Sequence, residues 1–468
     1  MALARFNMRN VYIETYGCQM NLADTELLLG HLGRHGYRRT ASPADADVIL
    51  LNTCAIREHA EERVLGRLAE LVRHKARRPE VQLGIAGCMA QHVRDRLLAK
   101  IPFVDFVVGP DAYRRLPELL GEPSEDALVD VRLDRAETYA DIAPERDRGV
   151  RAWVTVMRGC DRFCTFCVVP YVRGRERSVP AEAVLRQVHE AAEAGYREIV
   201  YLGQTVNAYR DGDVDFAELL RRTNAIDGIK RIRFTSPHPS DMTERVIEAI
   251  ASCAKVCPQL HLPLQSGSER VLAKMERGYT VAEYLDLVTR LRRAIADIAL
   301  TTDVMVGFPG EEETDFLATC ALMREVGFDG AFMFKYSARS GTKAFKWQET
   351  VSEDEKGRRL QAVIALQEEQ SAGINRRLIG STTQVLIEGP ARRREGWHAG
   401  KSPQFKTVVF PADGTRGAGT RVGEVAQVRV TEATAHTLIG SAGFSSPLIV
   451  TGQATILGSH PDRQHCAR

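Results

Sequence analysis

Short β-branched apolar runs alternate with amphipathic stretches over most of the first 370 or so residues of this 468-residue chain, and no other feature narrows its fold as far. An apolar run followed by a helical pattern reads as a strand of a parallel sheet with its crossover helix. Residues 10–110 supply the strand runs "NVYIETYGC", "DVILLNTC", "QLGIAGC" and "FVVGP", with helical patterns such as "DTELLLGHLGRHG" and "EERVLGRLAELVRH" between them. Three of these strands end in a cysteine: Cys18, Cys54 and Cys88. The C-terminal strand ends of an open parallel sheet lie along one edge, so cysteines far apart in sequence meet there. Gly17 and Gly87, each directly before one of them, permit a tight turn and close backbone approach. One such cysteine alone would read as a buried structural thiol; three at equivalent places point to a shared ligand.

A polar, aperiodic stretch at 121–149 reads as a linker with little regular structure. The alternation then resumes with "AWVTVM", "EIVYLGQ", "RIRFTS", "LHLPLQ", "ALTTDVMVGF" and "GAFMFKYS" as strands and patterns such as "AEAVLRQVHEAAEAG" as helices. Six such units predict an incomplete β/α barrel with its active site at the C-terminal strand ends. Directly after the first of them stands "MRGCDRFCTFCVVPY", which carries Cys160, Cys164 and Cys167 as C-x3-C-x2-C. From residue 376 the period changes. "TTQVLIEG", "TVVFP", "EVAQVRVTEAT" and "PLIVTG" predict a small antiparallel β-barrel of a kind that often binds nucleic acid. The last residues, "SHPDRQHCAR", read as a disordered tail in which Cys466 plays no part.

Composition sets the chemical context. The hydrophobic share is 44% and the charged share 26%, as in globular proteins. No apolar run of about 18 residues occurs, and the N-terminus lacks a signal-peptide core, so a cytoplasmic setting with no membrane contact is expected. There, the ten cysteines suit metal, cluster or catalytic work better than disulfides. Charge is uneven: from Asn375 onward there are 12 Lys+Arg against 6 Asp+Glu, while the rest carries 51 against 55. A basic end on a near-neutral body suggests a polyanionic partner.

A closed zinc site needs four ligands, usually in two short pairs, and the three-cysteine loop has neither a fourth cysteine nor a histidine beside it. Three thiolates on a four-iron cluster leave one iron open to an exogenous ligand, which is a catalytic arrangement. The spacing, its place after the first barrel strand and Phe166 before the third cysteine resemble the radical S-adenosylmethionine superfamily. The resemblance implies that the open iron chelates S-adenosylmethionine, whose sulfonium bond is cleaved to a 5′-deoxyadenosyl radical. The three-zone organisation with "YGCQMN", "LNTCAIRE", "GCDRFCTFCVVPYVRGRERS", "LGQTVNAY", "HLPLQSGS" and "GFPGE" is similar to the methylthiotransferases, in particular to their tRNA-modifying branch. Two positions depart from the pattern: Val179, where an arginine is expected, and Ser340, where proline is frequent.

The resemblance implies an N-terminal methylthiotransferase domain at 1–121 and a linker at 122–145. The radical barrel then covers 146–375, an RNA-binding TRAM domain 376–452 and a disordered tail 453–468. The fold class is α/β: a parallel-sheet domain, an incomplete (β/α)6 barrel and a small antiparallel barrel. Two [4Fe–4S] clusters are implied, one on Cys160, Cys164 and Cys167, the other, auxiliary, on Cys18, Cys54 and Cys88. The implied reaction places a methylthio group on carbon 2 of an N6-isopentenyladenosine beside the anticodon, with one S-adenosylmethionine giving the methyl group and a second the radical. An unactivated C–H bond calls for a radical, and the auxiliary cluster carries the sulfur. Both clusters must face one pocket, so the N-terminal sheet edge should cap the barrel mouth.

Gly203, Gln204, Ser236, His238, Gln265, Asp303 and Gly307 end later strands and are candidate S-adenosylmethionine contacts, although Gly203 also fits a turn and Asp303 a helix cap or ion pair. His261 reads as a satisfied core histidine, and Cys253, Cys257 and Cys320 as buried thiols. In "ARRREGWHAGKSPQFK", Arg392, Arg393, Arg394, Trp397, Lys401 and Lys406 offer phosphate contacts and stacking for RNA. Expected partners are a tRNA anticodon stem-loop, an electron donor such as flavodoxin or ferredoxin, and a sulfur-delivery or cluster-assembly protein. Competing readings are a threonylcarbamoyl-adenosine tRNA or a ribosomal-protein aspartate as substrate, a non-catalytic RNA-binding protein with structural metal, and a two-cluster electron carrier.

Overall fold

The computed structural model describes residues 8–55, 58–93, 101–121, 126–412 and 421–442. The first domain is a six-stranded sheet of β1 (Arg9–Thr15), β2 (Tyr37–Arg39), β3 (Val48–Thr53), β4 (Gln82–Gly87), β5 (Phe106–Val108) and β6 (Leu128–Asp130). Its order is β2-β1-β3-β4-β5-β6 and every pair is parallel. The chain leaves β1 in one direction and returns on its other side as β3, so a topological switch point lies between them. Strand β3 is buried along its whole length, as its unbroken apolar run requires, with helices and loops covering both faces.

The stretch expected to be a linker is mostly irregular, but it is not loose. It contributes β6 to the sheet, and Tyr139 and Ile142 to the first domain's core. The backbone of Ala143 runs so close over the helix Gln19–Arg34 that a side chain at Gly30 would overlap its carbonyl oxygen. Sequence periodicity misses this segment because it is held by side chains of the preceding domain rather than by a repeat of its own.

The second domain follows with β7 (Arg151–Thr155), a two-residue ribbon of β8 (Met157–Arg158) and β9 (Arg177–Ser178), then β10 (Glu198–Leu202). A second short ribbon pairs β11 (Arg210–Asp211) with β12 (Val214–Asp215). The wall continues through β13 (Arg231–Phe234), β14 (Gln259–His261), β15 (Ala299–Val306) and β16 (Gly330–Lys335). Parallel ladders β7-β10-β13 and β14-β15-β16 are joined by a bridge from Ile232 to Val256 just before β14. The result is an open arc of six parallel strands ending in β7 and β16, the incomplete barrel expected from six strand–helix units.

Alternation along these strands separates two environments. Ala152, Val154, Ile199, Tyr201, Ile232, Phe234, Leu260, Leu300 and Val304 face the outer helices and form the main core. The other register lines the inner wall, and at the N-terminal end of the strands it is charged: buried Glu198 pairs with Arg151 and, at 3.0 Å, with Arg233. Val179, one of the two departures from the family pattern, is 2% exposed within the outer core, where an arginine would have no partner.

The third domain is a closed five-stranded barrel of β17 (Thr382–Pro390), β18 (Trp397–Lys401), β19 (Thr407–Pro411), β20 (Val425–Ala433) and β21 (Thr437–Ala442), in the order β17-β18-β19-β21-β20. It departs from the expected all-antiparallel pattern in one pairing, β19 with β21, which is parallel. Strands β18 and β21 are findings of the structure, and the expected strand "PLIVTG" lies outside the described residues. Its loop Ser402–Lys406 enters the N-terminal end of the half-barrel. There Arg233 donates to the carbonyls of Ser402 and Pro403 at 2.8 Å each, and the Phe405 ring lies under the guanidinium groups of Arg151 and Arg233. Among the described residues no helix is long and apolar enough to cross a membrane.

Candidate active site

The loop that carries Cys160, Cys164 and Cys167 runs from β8 to the helix Val169–Arg173 and back along β9. Gly159 enters it at φ +79°, where a Cβ would overlap the Arg175 carbonyl oxygen and come within 2.6 Å of Gly174 O. The Cys160 amide donates to Gly174 O at 3.1 Å, which closes the base of the loop. Three groups meet its sulfurs: Thr205 Oγ1 lies 3.3 Å from Cys160 Sγ, the Arg162 amide 3.5 Å from the same atom, and Arg277 Nη1 3.3 Å from Cys164 Sγ. Phe166 packs edge-on against Phe308 and fixes the far side of the loop.

The second trio sits at the C-terminal edge of the first sheet, at its switch point. Cys18 precedes the helix Gln19–Arg34, Cys54 follows β3 and Cys88 opens the short helix Cys88–Val93. Gly17 (φ +141°) and Gly87 (φ +94°) are held to glycine by crowding as well as conformation. A Cβ on the first would lie 2.8 Å from Cys54 Cβ, and on the second 2.5 Å from Thr53 O. Asn21 Oδ1 accepts from Cys18 Sγ at 3.4 Å, and Arg173 Nε donates to Cys88 Sγ at 3.1 Å.

Burial pushes the Cys88 and Cys167 thiols up to about 12, and each feels the charge of the other two cysteines of its own trio. For these two buried thiols, binding a cation is what favours the thiolate. Among the described residues no group of three or more His, Cys, Asp or Glu side chains converges on one point as a single metal ion requires. A cubane cluster asks for a wider triangle, because each thiolate binds a different iron. The donor set, all thiol with a basic N–H on one sulfur, fits iron–sulfur clusters.

The two trios meet at one interface between the domains. Ala55 and Cys88 pack directly on Val168 and Val172, the first of which follows Cys167. Cys18 and Met20 reach the inner wall beside Trp153, Val200 and Leu202. Buried ion pairs lock the arrangement: Asp24 takes Arg158 Nη2 at 2.9 Å and Arg173 Nη2 at 2.8 Å, and Asp111 holds Arg177 at 2.9 and 3.0 Å. Ser340, the second departure from the family pattern, lies 2.9 Å from His92 Nε2 and adds a link between the domains. The sheet edge thus caps the barrel mouth, as the shared-pocket argument required.

Among the candidate S-adenosylmethionine contacts, two carry buried polar atoms without a partner, Gln204 Oε1 and His238 Nε2. His238 is neutral, since burial and then the nearby Arg277 and Arg162 bring it down to about 2. Its Nδ1 accepts from the Ser240 amide at 3.3 Å, which assigns the proton to Nε2 and leaves a donor aimed at nothing in the protein. Ser236 (φ +58°) and Gln265 (φ +69°) hold left-handed backbone at strand ends. The unpartnered atoms of Gln204 and His238 suit a polar ligand. Gly203 and Gly307 have packing reasons instead: a Cβ would meet Met157 at 2.6 Å in the first case and overlap Lys356 in the second.

Asp303 lies on the inner wall with its carboxylate 3.3 Å from His261 Nε2, and His261 Nδ1 meets Thr301 Oγ1 at 3.1 Å. His261 thus has both ring nitrogens satisfied as expected, but on the inner wall of the half-barrel rather than in the core; beside it stands Phe332, 60% exposed. Cys253, Cys257 and Cys320 are buried thiols as expected. Sequence reasoning missed Asp24, Arg158, Arg173 and Arg277, whose partners lie far along the chain.

Of the candidate RNA contacts, Arg392, Arg393 and Arg394 are exposed on the β17–β18 loop, with Arg394 over the Trp397 ring at 4.6 Å. Lys401 and Lys406 are corrected. Lys401 lies over Phe405 and donates to Thr407 Oγ1 at 2.7 Å within the third domain, while Lys406 binds Asp329 of the half-barrel at 2.6 Å, so both ammonium groups already have partners in the protein.

Family models match all three domains: "Uncharacterized protein family UPF0004" over 10–109, "Radical SAM superfamily" over 154–323 and "TRAM domain" over 376–442. A solved radical S-adenosylmethionine methyltransferase, TsrM from Kitasatospora setae, superposes with a TM-score of 0.56 at 14% identity, covering 72% of this chain and 74% of that one. The cobalamin-dependent radical enzyme OxsB gives 0.52 at 12% identity over 77% of this chain and 56% of its own. At such identities the likeness is one of fold. The cysteine loop on this half-barrel defines a radical S-adenosylmethionine protein. Curated relatives named tRNA-2-methylthio-N(6)-dimethylallyladenosine synthase are 43% identical in Thermoanaerobacter pseudethanolicus, over 92% of this chain and 93% of theirs, and 45% identical in Bacteroides thetaiotaomicron, over 92% and 96%. This chain belongs to that family.

Proposed function

We propose that the chain adds a methylthio group to carbon 2 of N6-isopentenyladenosine in the anticodon loop of tRNA. The observation that carries this reading is the meeting of two cysteine trios at the barrel mouth, with Cys88 and Val168, the residue after Cys167, in one buried cluster, in a chain of this family; the space they enclose is the proposed reaction chamber. When loaded, the cluster on Cys160, Cys164 and Cys167 supplies one-electron cleavage of S-adenosylmethionine, and that on Cys18, Cys54 and Cys88 supplies the sulfur. Around them the chain excludes water with Val168, Val172, Val200 and Leu202, and holds both trios in register through Asp24. His238 Nε2–H and Gln204 Oε1 offer a donor and an acceptor to the bound S-adenosylmethionine. The substrate base must leave its stack to enter the chamber. A tRNA substrate places the reaction in the cytoplasm, with a low-potential flavodoxin or ferredoxin as reductant and a separate protein restoring sulfur.

Anaerobically reconstituted protein, S-adenosylmethionine, dithionite and tRNA bearing isopentenyladenosine should yield methylthio-isopentenyladenosine by nucleoside mass spectrometry. The product should vanish when Cys160, Cys164 and Cys167 are all alanine. Formation of 5′-deoxyadenosine without that nucleoside would overturn the substrate and leave threonylcarbamoyl-adenosine tRNA or a ribosomal-protein aspartate to be tried.

For RNA binding, replacing Arg392, Arg393 and Arg394 together by alanine should weaken tRNA affinity at least about tenfold. It should also flatten the slope of log affinity against log salt by about 2, the loss of some three phosphate contacts. Lys406→Ala should leave that slope unchanged, because its ammonium is already paired with Asp329. A salt titration of both variants checks this, and equal slopes would refute the assignment.

A further inference from the structure

Each trio has one buried arginine on one of its sulfurs, and the two arginines come from different places in the chain. Arg173, at the end of the cysteine-loop helix of the barrel, donates through Nε to Cys88 Sγ of the other domain at 3.1 Å. Arg277, after the helix Glu269–Met275, donates through Nη1 to Cys164 Sγ at 3.3 Å.

Neither guanidinium is explained by protein charges alone. Asp24 lies between Arg158 and Arg173, two cations around one carboxylate, and Arg173 Nη1 has no hydrogen-bond partner. Asp111 is already matched by Arg177. Arg277 is 7% exposed, and among the described residues its partners are Cys164 Sγ and the Tyr279 hydroxyl, with no carboxylate. Each trio therefore sits in a pocket with one uncompensated positive charge, which is costly to bury. An oxidised four-iron, four-sulfide core with three thiolates is a net monoanion. Loaded on either trio it balances the pocket's charge, and on the auxiliary trio it gives the idle Nη1 of Arg173 a sulfur to meet.

We propose that Arg173 and Arg277 are a matched pair of positioning residues, each setting the reduction potential of one cluster through a charged N–H···S contact to a single ligand, Cys88 for the auxiliary cluster and Cys164 for the S-adenosylmethionine cluster. Hydrogen bonds and positive charge at a ligand sulfur stabilise the more electron-rich state, so each arginine raises the potential of its own cluster. Because Arg173 belongs to the barrel and Cys88 to the sheet domain, the auxiliary cluster acquires its full potential only when the two domains are docked. The inference rests on the reading that each trio holds a cluster.

The test uses the full chain with one trio at a time replaced by alanine, so that each cluster is titrated alone by electron paramagnetic resonance. With only the auxiliary cluster present, Arg173→Met should lower its midpoint, Arg173→Lys should restore part of the shift, and Arg277→Met should move it less than Arg173→Met. With only the other cluster present the order should reverse. Equal shifts of both clusters by either variant, or a lysine variant no better than methionine, would overturn the proposal. For a variant that fails to take up iron, the parent protein labelled with arginine carrying 15N in the guanidinium group alone decides, since the Arg162 amide also lies near a sulfur. Pulsed resonance of each reduced cluster should show a 15N coupling, and its absence from both would overturn the contacts. Parent backgrounds that bind no labile sulfide would instead refute the cluster reading itself.

Discussion

Asp24→Ala should lower the unfolding free energy of the docked domains by about 3–5 kcal/mol, the range for removing one partner of a buried ion pair. Asp24 has 0% exposure and stands between the two domains, with Arg158 Nη2 at 2.9 Å, Arg173 Nη2 at 2.8 Å and the Tyr113 hydroxyl at 3.5 Å. Without it two buried guanidinium groups lose the carboxylate they share. Desolvation opposes the Asp24 carboxylate, but the two arginines outweigh it and hold the group below its usual range. A carboxylate depressed in the folded state adds stability above its unfolded value, near 4, and loses it as pH falls through the folded value. The parent should thus lose interdomain stability only in acid, and the alanine variant should lack that part of the acid slope. Asp24→Asn keeps the shape and should cost nearly as much as alanine, since charge is what is missing. Urea unfolding at neutral pH, followed by tryptophan fluorescence, measures this; an asparagine variant as stable as the parent would show that the pairs contribute little.

Gly159→Ala should cost the chain one of its two clusters. The added Cβ meets the Arg175 carbonyl carbon at 2.5 Å and Gly174 O at 2.6 Å, at a φ of +79° that alanine resists. Backbone cannot swing aside as a flexible side chain can, so β8 and β9 part, and the closing bond from Cys160 N to Gly174 O is lost. Iron and sulfide per chain should fall by about half, and 5′-deoxyadenosine formation should vanish. Gly212→Ala is the control: its φ is +56°, yet the added Cβ meets nothing within 4 Å, so it should cost only about 1 kcal/mol and no iron. Full iron content in Gly159→Ala would refute the steric argument.

The cluster ligands were legible because their signal is local: a cysteine directly after an apolar run is placed by the strand itself. The long strands of both sheets were legible for the same reason. Strands β2, "YRR", and β6, "LVD", were not, since neither stands in an apolar run as the equally short β5 does. Strand β18 reads as a basic loop because its sequence, "WHAGK", mixes glycine and charge; it is a strand only through its pairing with β17 and β19. Lys401 and Lys406 show the limit most plainly. A lysine in a basic stretch looks solvated, and nothing local tells that Asp329, 77 positions earlier, will stand 2.6 Å from Lys406. His261 was misread because a half-barrel buries the outer face of a strand and exposes the inner one, and a short strand does not say which is which. Arg173 and Arg277 were invisible for a related reason: their partners lie 85 and 113 positions away.

The Phe405 plug at the N-terminal end of the half-barrel has a bearing on the order of events during turnover. With that ring held under Arg151 and Arg233 and the loop carbonyls taken by Arg233, the chamber has a floor. The opposite end is roofed by the sheet domain, so the unpaired side of the arc, between edge strands β7 and β16, is where a doorway is expected. An extruded nucleotide and a spent cofactor must use that same doorway. Two cofactor molecules per product then imply a queue, in which departure of the first competes with residence of the RNA.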